Sequence, residues 1–137
     1  MRDENGGSLI EFAIIMPLLL ILLFGIIEFG IIMYNQAVIT NASREGARYG
    51  IVARSPRHTE AEIIQVVTDY CTDRLVSFNG SASLSISATP LDGTTLFGDD
   101  LEVQVIWPYT FLALPKLPGV GLNNAINLSV RTVMKYE

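Results

Sequence analysis

The sequence predicts an α+β protein in which a long N-terminal transmembrane helix continues into a small domain with a second helix and a three-stranded antiparallel sheet. Three observations support this prediction. A long apolar stretch lies near the N-terminus, an amphipathic stretch of helical period follows it, and three later stretches alternate apolar and polar residues. The 137 residues are enough for one modest domain beside the long helix.

The apolar stretch predicts a single membrane span. Residues 12–27 contain no polar side chain, and the apolar zone runs with interruptions over residues 9–34. As a helix this zone is about 39 Å long, which exceeds the roughly 30 Å hydrocarbon core of a bilayer. The twelve Leu, Ile and Phe residues between Phe12 and Ile27 favour insertion by about 4–7 kcal/mol in total. A cleaved secretory signal would have a shorter apolar region and a basic start. Pro17 predicts a kink or a loosened turn.

The first helix should continue beyond the membrane, because residues 35–53 contain no proline. Small residues recur there at helical spacing, which lets another backbone approach closely. Two of them are glycines that each cost about 1 kcal/mol relative to alanine, so packing must hold this part of the helix in shape. We expect the helix to break at residues 54–56. The predicted packing stripe consists of Ala42, Gly46, Gly50 and Ala53.

A second helix should begin at Thr59, which forms a capping-box pattern with Glu62. Apolar residues then follow at amphipathic spacing to about Phe78. Beyond this helix the period changes to two, which predicts half-buried strands. The three strand segments are residues 84–89, 101–107 and 128–134.

The connection between the second and third strands is long and unusually apolar. From Trp107 to Leu122 it contains several large side chains that need a cover. Two interpretations stay open. The segment folds back over the end of the sheet, or it contacts a neighbouring protein or the outer leaflet.

Composition and residue types argue against several functions. A net charge of −5 argues against nucleic-acid binding, which needs a basic surface. His58 and Cys71 are the only residues of their types, so we predict no enzyme and no cofactor, with Cys71 as a buried apolar residue. Some acidic residues near the turns have side chains that suit calcium, but they lack EF-hand spacing, and we predict no metal site. They are Asp92, Asp99, Asp100 and Glu102.

The segment from Gly6 to Phe12, GGSLIEF, is followed by an apolar run that contains Pro17. This arrangement resembles the prepilin signature of the type IV pilin superfamily, and the Glu11–Phe12 pair resembles its Flp-type, or tight-adherence, branch. The runs EFAIIMPLLLILLFGIIEFG and ITNASREGARYG are similar to the N-terminal region of TadE-like proteins. The later runs VQVIWPYTFLALPKL and INLSVRTVM are more weakly similar.

The resemblance implies a minor pilin, or pseudopilin, that helps to assemble a Flp-type pilus. A prepilin peptidase would cut between Gly6 and Gly7, and Glu11 would neutralise the new N-terminal amine of a neighbouring subunit. Expected partners are membrane lipid, other pilins or pseudopilins, the peptidase and the platform proteins of pilus assembly. The chain then divides into a leader (residues 1–6), a transmembrane and assembly helix (residues 7–34) and an extracytoplasmic α+β domain (residues 35–137).

Glu28 lies near the outer end of the predicted span, roughly 10 Å from its middle. We expect water or headgroups to solvate its carboxylate; contact with a partner pilin is the alternative. The assembly role thus involves Glu11 and its neighbour Phe12, Pro17 within the span, and Glu28.

The charges around the span conflict with the topology of the family. Arg44, Arg48 and Arg54 follow the span, whereas only Arg2 and the α-amine precede it, so the positive-inside rule would place the domain in the cytoplasm. We favour the family topology, with a single-pass protein of the bacterial inner membrane, its domain outside the cytoplasm, and entry into a pilus after processing. This choice assumes that the arginines belong to a packed helix face. The alternatives are an uncleaved membrane-anchored binding domain and a filament-forming pilin subunit.

Overall fold

A computed structural model describes residues 4–78, 83–91, 93–111 and 125–137 of the chain. In chain order the elements are α1 (Glu4–Ile51), α2 (Glu60–Cys71), β1 (Ser85–Pro90), β2 (Asp100–Thr110) and β3 (Ala125–Lys135). The predicted fold class, with a long apolar helix, a second helix and three strands, is confirmed.

The three strands form an antiparallel sheet in the order β1-β2-β3. Its middle strand β2 alternates strictly between buried and half-buried residues, as a strand with one covered face must. The buried face packs against the second half of α1 and against α2. The core residues from β2 are Leu101, Val103, Val105, Trp107 and Tyr109.

Helix α1 has two parts with different surroundings. Every residue from Gly6 to Ile27 is exposed, although nearly all side chains from residue 9 onward are apolar. We call residues 9–27 the rod; at about 1.5 Å per residue it is about 28 Å long. From Glu28 onward one side of α1 is covered by the domain. This contact thus begins before residue 35, where the sequence placed the start of the domain, and the position of the membrane boundary stays a prediction.

Both ends of α1 differ from expectation. The helix begins at Glu4 rather than near Ser8, and it includes Gly6 and Gly7. Glycine weakens a helix by about 1 kcal/mol without ending it, and no proline precedes Pro17. At the other end the helix stops at Ile51, before the predicted break at residues 54–56. The chain is unbroken helix across Pro17.

Helix α2 begins with the predicted capping box of Thr59 and Glu62, which is confirmed. It ends at Cys71, however, and not near Phe78. The backbone of Asp73 adopts a positive φ of 63°, and the N–H and C=O groups of Val76 both bond to the side chain of Asn35 on α1, each at 2.9 Å. These tertiary hydrogen bonds replace the helical ones.

Strand β2 extends beyond Trp107 through Pro108 to Thr110. Proline in a central strand would remove a hydrogen bond of the sheet. The pairing of β1 with β2 ends at Ser85 and Ile106, so Pro108 has a strand neighbour on one side only. The strand therefore tolerates the proline.

Candidate assembly and membrane site

The N-terminal residues that the sequence singles out all lie on the bare part of α1. Gly6, Gly7, Glu11, Phe12 and Pro17 are all exposed. A Cβ atom added to either glycine would meet no atom within 4 Å. Within one subunit this part of the helix is therefore open to lipid, to a protease or to another helix.

Glu28 is the exception among the predicted assembly residues, because the domain buries it. Only 3% of its surface is exposed, and the hydroxyl of Tyr109 donates a hydrogen bond of 2.6 Å to its Oε1 atom. The expectation that water or headgroups solvate this carboxylate is wrong in the folded subunit. Burial, together with the hydrogen bond to Glu28, raises the pKa of Tyr109 above its usual range, so its hydroxyl remains a donor.

Two further polar side chains fasten α1 to the domain. Asn35 is fully buried and holds the backbone of Val76, as described above. Ser43 is also fully buried, and its hydroxyl donates a hydrogen bond of 2.9 Å to the carbonyl oxygen of Val103 and lies 2.8 Å from Thr132 Oγ1. Sequence reasoning missed both residues. The signal was their position beside the small-residue stripe, where a polar residue faces a packed neighbour and needs a partner.

The small-residue stripe lies inside the subunit. A Cβ atom on Gly46 would overlap the Cγ2 atom of Val67 in α2. A Cβ atom on Gly50 would lie 2.5 Å from Leu101 Cδ2 and 2.7 Å from Ile63 Cδ1. Ala42 is fully buried on the same side, whereas Ala53 lies beyond the end of α1 and is exposed. The close approach is thus made by α2 and β2 of the same chain.

The start of the apolar connection is covered. Trp107 and Tyr109 are buried, and Phe111 is half-buried with its ring 5.9 Å from that of Tyr109 in an edge-to-face arrangement. For residues 107–111 the cover therefore comes from the chain itself, which agrees with the first of the two interpretations for this part of the segment. Residues 112–122 of this segment lie outside the described residues.

The histidine, the cysteine and the acidic turn residues that the structure describes make contacts within the fold. His58 stacks on Tyr49 with 3.9 Å between ring centroids. Cys71 is buried, and burial raises its pKa to about 11. The carboxylate of Asp99 accepts hydrogen bonds from Thr94 and from the Leu96 N–H within a turn, which lower its pKa. Asp92 lies outside the described residues, and within those residues no group of three His, Cys, Asp or Glu side chains is placed to hold a metal ion.

The arginines that follow the span are on the surface. Arg44, Arg48 and Arg54 are all exposed, and Arg48 forms an ion pair with Glu45 at 3.5 Å on the surface. The idea that they belong to a packed helix face is therefore wrong. These arginines give no physical reason to set aside the positive-inside rule.

Comparison with known proteins matches the N-terminal part of the chain to a protein family. The model of the TadE-like protein family matches residues 6–48. No curated protein and no solved structure matches the chain. The described part of the chain contains one helix, within Gly6–Ile51, that is long and apolar enough to cross a membrane. Together the helix and the family match indicate a membrane-anchored protein.

The matched region contains the Gly6–Gly7 pair, the whole rod, Glu28 and most of the part of α1 that packs against the domain. It ends at Arg48, so α2 and the sheet lie outside it. The resemblance of the N-terminal region to TadE-like proteins is confirmed by this match, which supports, at the level of the family, a pilin-like protein associated with a tight-adherence pilus.

Proposed function

We propose that this protein is a minor pilin, or pseudopilin, that acts in the assembly of a Flp-type pilus. It would act by packing its rod against the rods of other pilins in the membrane and in the filament. The observation that carries the proposal is the rod itself. It is an apolar helix about 28 Å long that the described part of the domain leaves exposed, and it carries a carboxylate, Glu11, near its N-terminal end.

Glu11 is the residue that we propose sets the register between subunits. A carboxylate among apolar helices is costly unless it is paired. Cleavage between Gly6 and Gly7 would create an α-amine four residues from Glu11. On an axially shifted neighbour that amine is a suitable partner for the Glu11 carboxylate. The exposure of both glycines and of Glu11 supports this arrangement.

The topology that goes with this function is a cytoplasmic N-terminus with the domain outside the cytoplasm. It depends on the family resemblance, since the exposed arginines favour the opposite orientation. Protease treatment of spheroplasts tests it directly. Digestion of the domain while the inner membrane stays sealed supports the proposed side, and digestion only after lysis contradicts it.

Mass spectrometry of protein extracted from membranes that contain the prepilin peptidase tests processing. We expect a mature N-terminus at Gly7, and none in membranes that lack the peptidase. An intact Met1 in both membranes would instead support an uncleaved membrane-anchored binding domain. The abundance of the protein in sheared pili then separates a minor pilin, present in small amounts, from a filament-forming subunit.

Replacing Glu11 by Gln tests the pairing. We expect membrane insertion to persist and the number of pili to fall, because the amide removes the charge and keeps the shape. Replacing Glu45, whose side chain is about half exposed, by Gln is the matched control, since it removes one carboxylate from the same helix outside the rod. Normal piliation in the Glu11→Gln variant would remove the register argument.

A further inference from the structure

Among the residues that the structure describes, the end of the domain next to the rod has almost no charge. We define this rod-proximal end by the contacts of Glu28, Asn35 and Gln36 with the rest of the domain. Glu28 is its only residue of a charged type, and that residue is buried. The rod-proximal end consists of residues 28–36, 75–78, 107–111 and 125–129.

The opposite end is highly charged. There the N–H of Glu137 bonds to the carbonyl oxygen of Ile51, and Arg57 donates to the carbonyl oxygen of Glu137 at 2.7 Å. Lys135 and Asp100 form an exposed ion pair at 2.9 Å beside them. The two ends of the domain along the axis of α1 thus differ in charge, and the uncharged end lies toward the rod.

The uncharged end also carries exposed apolar side chains. Phe29, Met33 and Tyr34 remain largely exposed on the side of α1 that the domain leaves free. Phe78 follows two residues after Val76, whose backbone is hydrogen-bonded to Asn35, and it is about half exposed. The apolar surface of the rod therefore continues past Glu28 onto the domain, and it includes Tyr34, a residue type that is enriched at membrane–water interfaces.

Lengths place this end at the membrane surface. A hydrocarbon core of roughly 30 Å that begins at Leu9 ends near residue 28. The headgroup layer beyond it is about 5–8 Å thick, which corresponds to about three to five more residues of helix. The domain already covers α1 at Glu28, so no stalk separates it from the lipid.

From these observations we infer that the rod-proximal end of the domain is seated in the headgroup layer of the bilayer. The inference depends on the membrane anchoring that the proposed function also requires, and it adds a lipid-binding surface to the domain. The surface has no exposed charge among its described residues, so its contact with lipid is apolar and interfacial. It should depend little on anionic lipids or on salt.

The burial of Glu28 fits this position. A carboxylate at the edge of the hydrocarbon would be costly without a partner. The Tyr109 hydroxyl provides one from the domain, at 2.6 Å. Without the domain, the Glu28 side chain would face the membrane at this depth. The domain therefore has to stay in contact with α1 there.

Spin labels at single cysteines test the inference in the full chain, reconstituted into phosphatidylcholine vesicles. Cys71 is first replaced by Ala, and only variants that unfold at the temperature of this parent are used. Labels are placed at exposed positions: Phe78 and Ala125 at the rod-proximal end, Phe97 at the far end, and Leu19 in the rod. Collision with a water-soluble nickel chelate and with lipid-soluble oxygen then reports the depth of each label.

We expect the labels at residues 78 and 125 to collide with the nickel chelate several-fold less than the label at residue 97, and more with oxygen. Addition of anionic lipid should not change this result. Equal nickel access at residues 78, 125 and 97, with residue 19 still in lipid, would overturn the inference and leave the proposed function intact. Spin–spin broadening at residues 78 or 125 would assign this surface to a second copy and also overturn it. Nickel access at residue 19 would contradict the span itself, and with it the proposed function.

Discussion

The hydroxyl of Tyr109 donates a hydrogen bond of 2.6 Å to Glu28, and this bond joins residues that are 81 positions apart. It connects the middle strand of the sheet to the point where the bare rod ends. Replacing Tyr109 by Phe removes this donor from a buried carboxyl. We expect the free energy of unfolding to fall by about 1–3 kcal/mol, the range for hydrogen bonds to charged or buried polar groups.

Thermal unfolding in detergent, followed by circular dichroism, measures this change. Tyr34→Phe is the matched control. It removes the same hydroxyl group from a tyrosine that is about half exposed and lies on α1 near Glu28. We expect Glu28→Gln to cost less than Tyr109→Phe, because the amide oxygen can still accept. Equal stability of Tyr109→Phe and the unchanged protein would show that this bond does not hold the domain on the rod.

Gly46 and Gly50 should tolerate no side chain. Alanine at either position overlaps side chains of α2 or β2, and such overpacking costs about 1–3 kcal/mol. This cost outweighs the gain of up to about 1 kcal/mol that alanine brings to a helix. Gly30→Ala is the control, because its Cβ would meet no atom within 4 Å. We expect it to keep or raise the unfolding temperature, and a rise for Gly46→Ala would contradict the packing described.

The capping box of α2 should make stability depend on acid. Hydrogen bonds from the Thr59 backbone and hydroxyl lower the pKa of Glu62 below its ordinary value of 4.5. Its contribution is therefore complete above that value and is lost as the pH falls through the lower pKa of the folded state. We expect Glu62→Gln to weaken this acid dependence, measured as the unfolding temperature between pH 7 and pH 3. Glu60→Gln, an exposed residue in the same turn, should change the dependence less.

Cys71 should be unreactive in the folded protein. Burial raises its pKa from 9.0 to about 11, which reduces the thiolate fraction near neutral pH by about a hundredfold, and the thiolate is the reactive form. Disulfide-exchange reagents should therefore label it only after denaturation. A cysteine introduced at the exposed Phe97 of the Cys71→Ala variant should react at once. Rapid labelling of Cys71 in the native protein would show that α2 opens readily.

Much of the fold could be predicted because local patterns agreed with the final packing. The period-two alternation in β2 and the Thr59–Glu62 pair each indicate one structure, and tertiary contacts preserve it. The end of α2 was predicted too late because Asn35, far away in sequence, takes the hydrogen-bonding groups of Val76. Such a pairing has no local signal. It could be expected only once α1 and α2 were known to lie side by side.

Only part of the candidate site could be predicted from the sequence. The exposed rod and the positions of Gly6, Gly7 and Glu11 follow from the length and polarity of the N-terminal stretch. The burial of Glu28 could not be predicted from this stretch, since a carboxylate at the end of an apolar helix usually faces headgroups. Its partner Tyr109 lies in the predicted connection from Trp107 to Leu122, and the sequence did not determine what covers that connection. Only the register of β2 against α1 brings the two together.

Since α1 runs without interruption from the bare rod into the core, no loop separates the rod from the domain. Any rotation of the rod about its long axis must turn the domain by the same angle. The side of the rod to which a neighbouring subunit binds would therefore determine which face of the sheet points away from that neighbour.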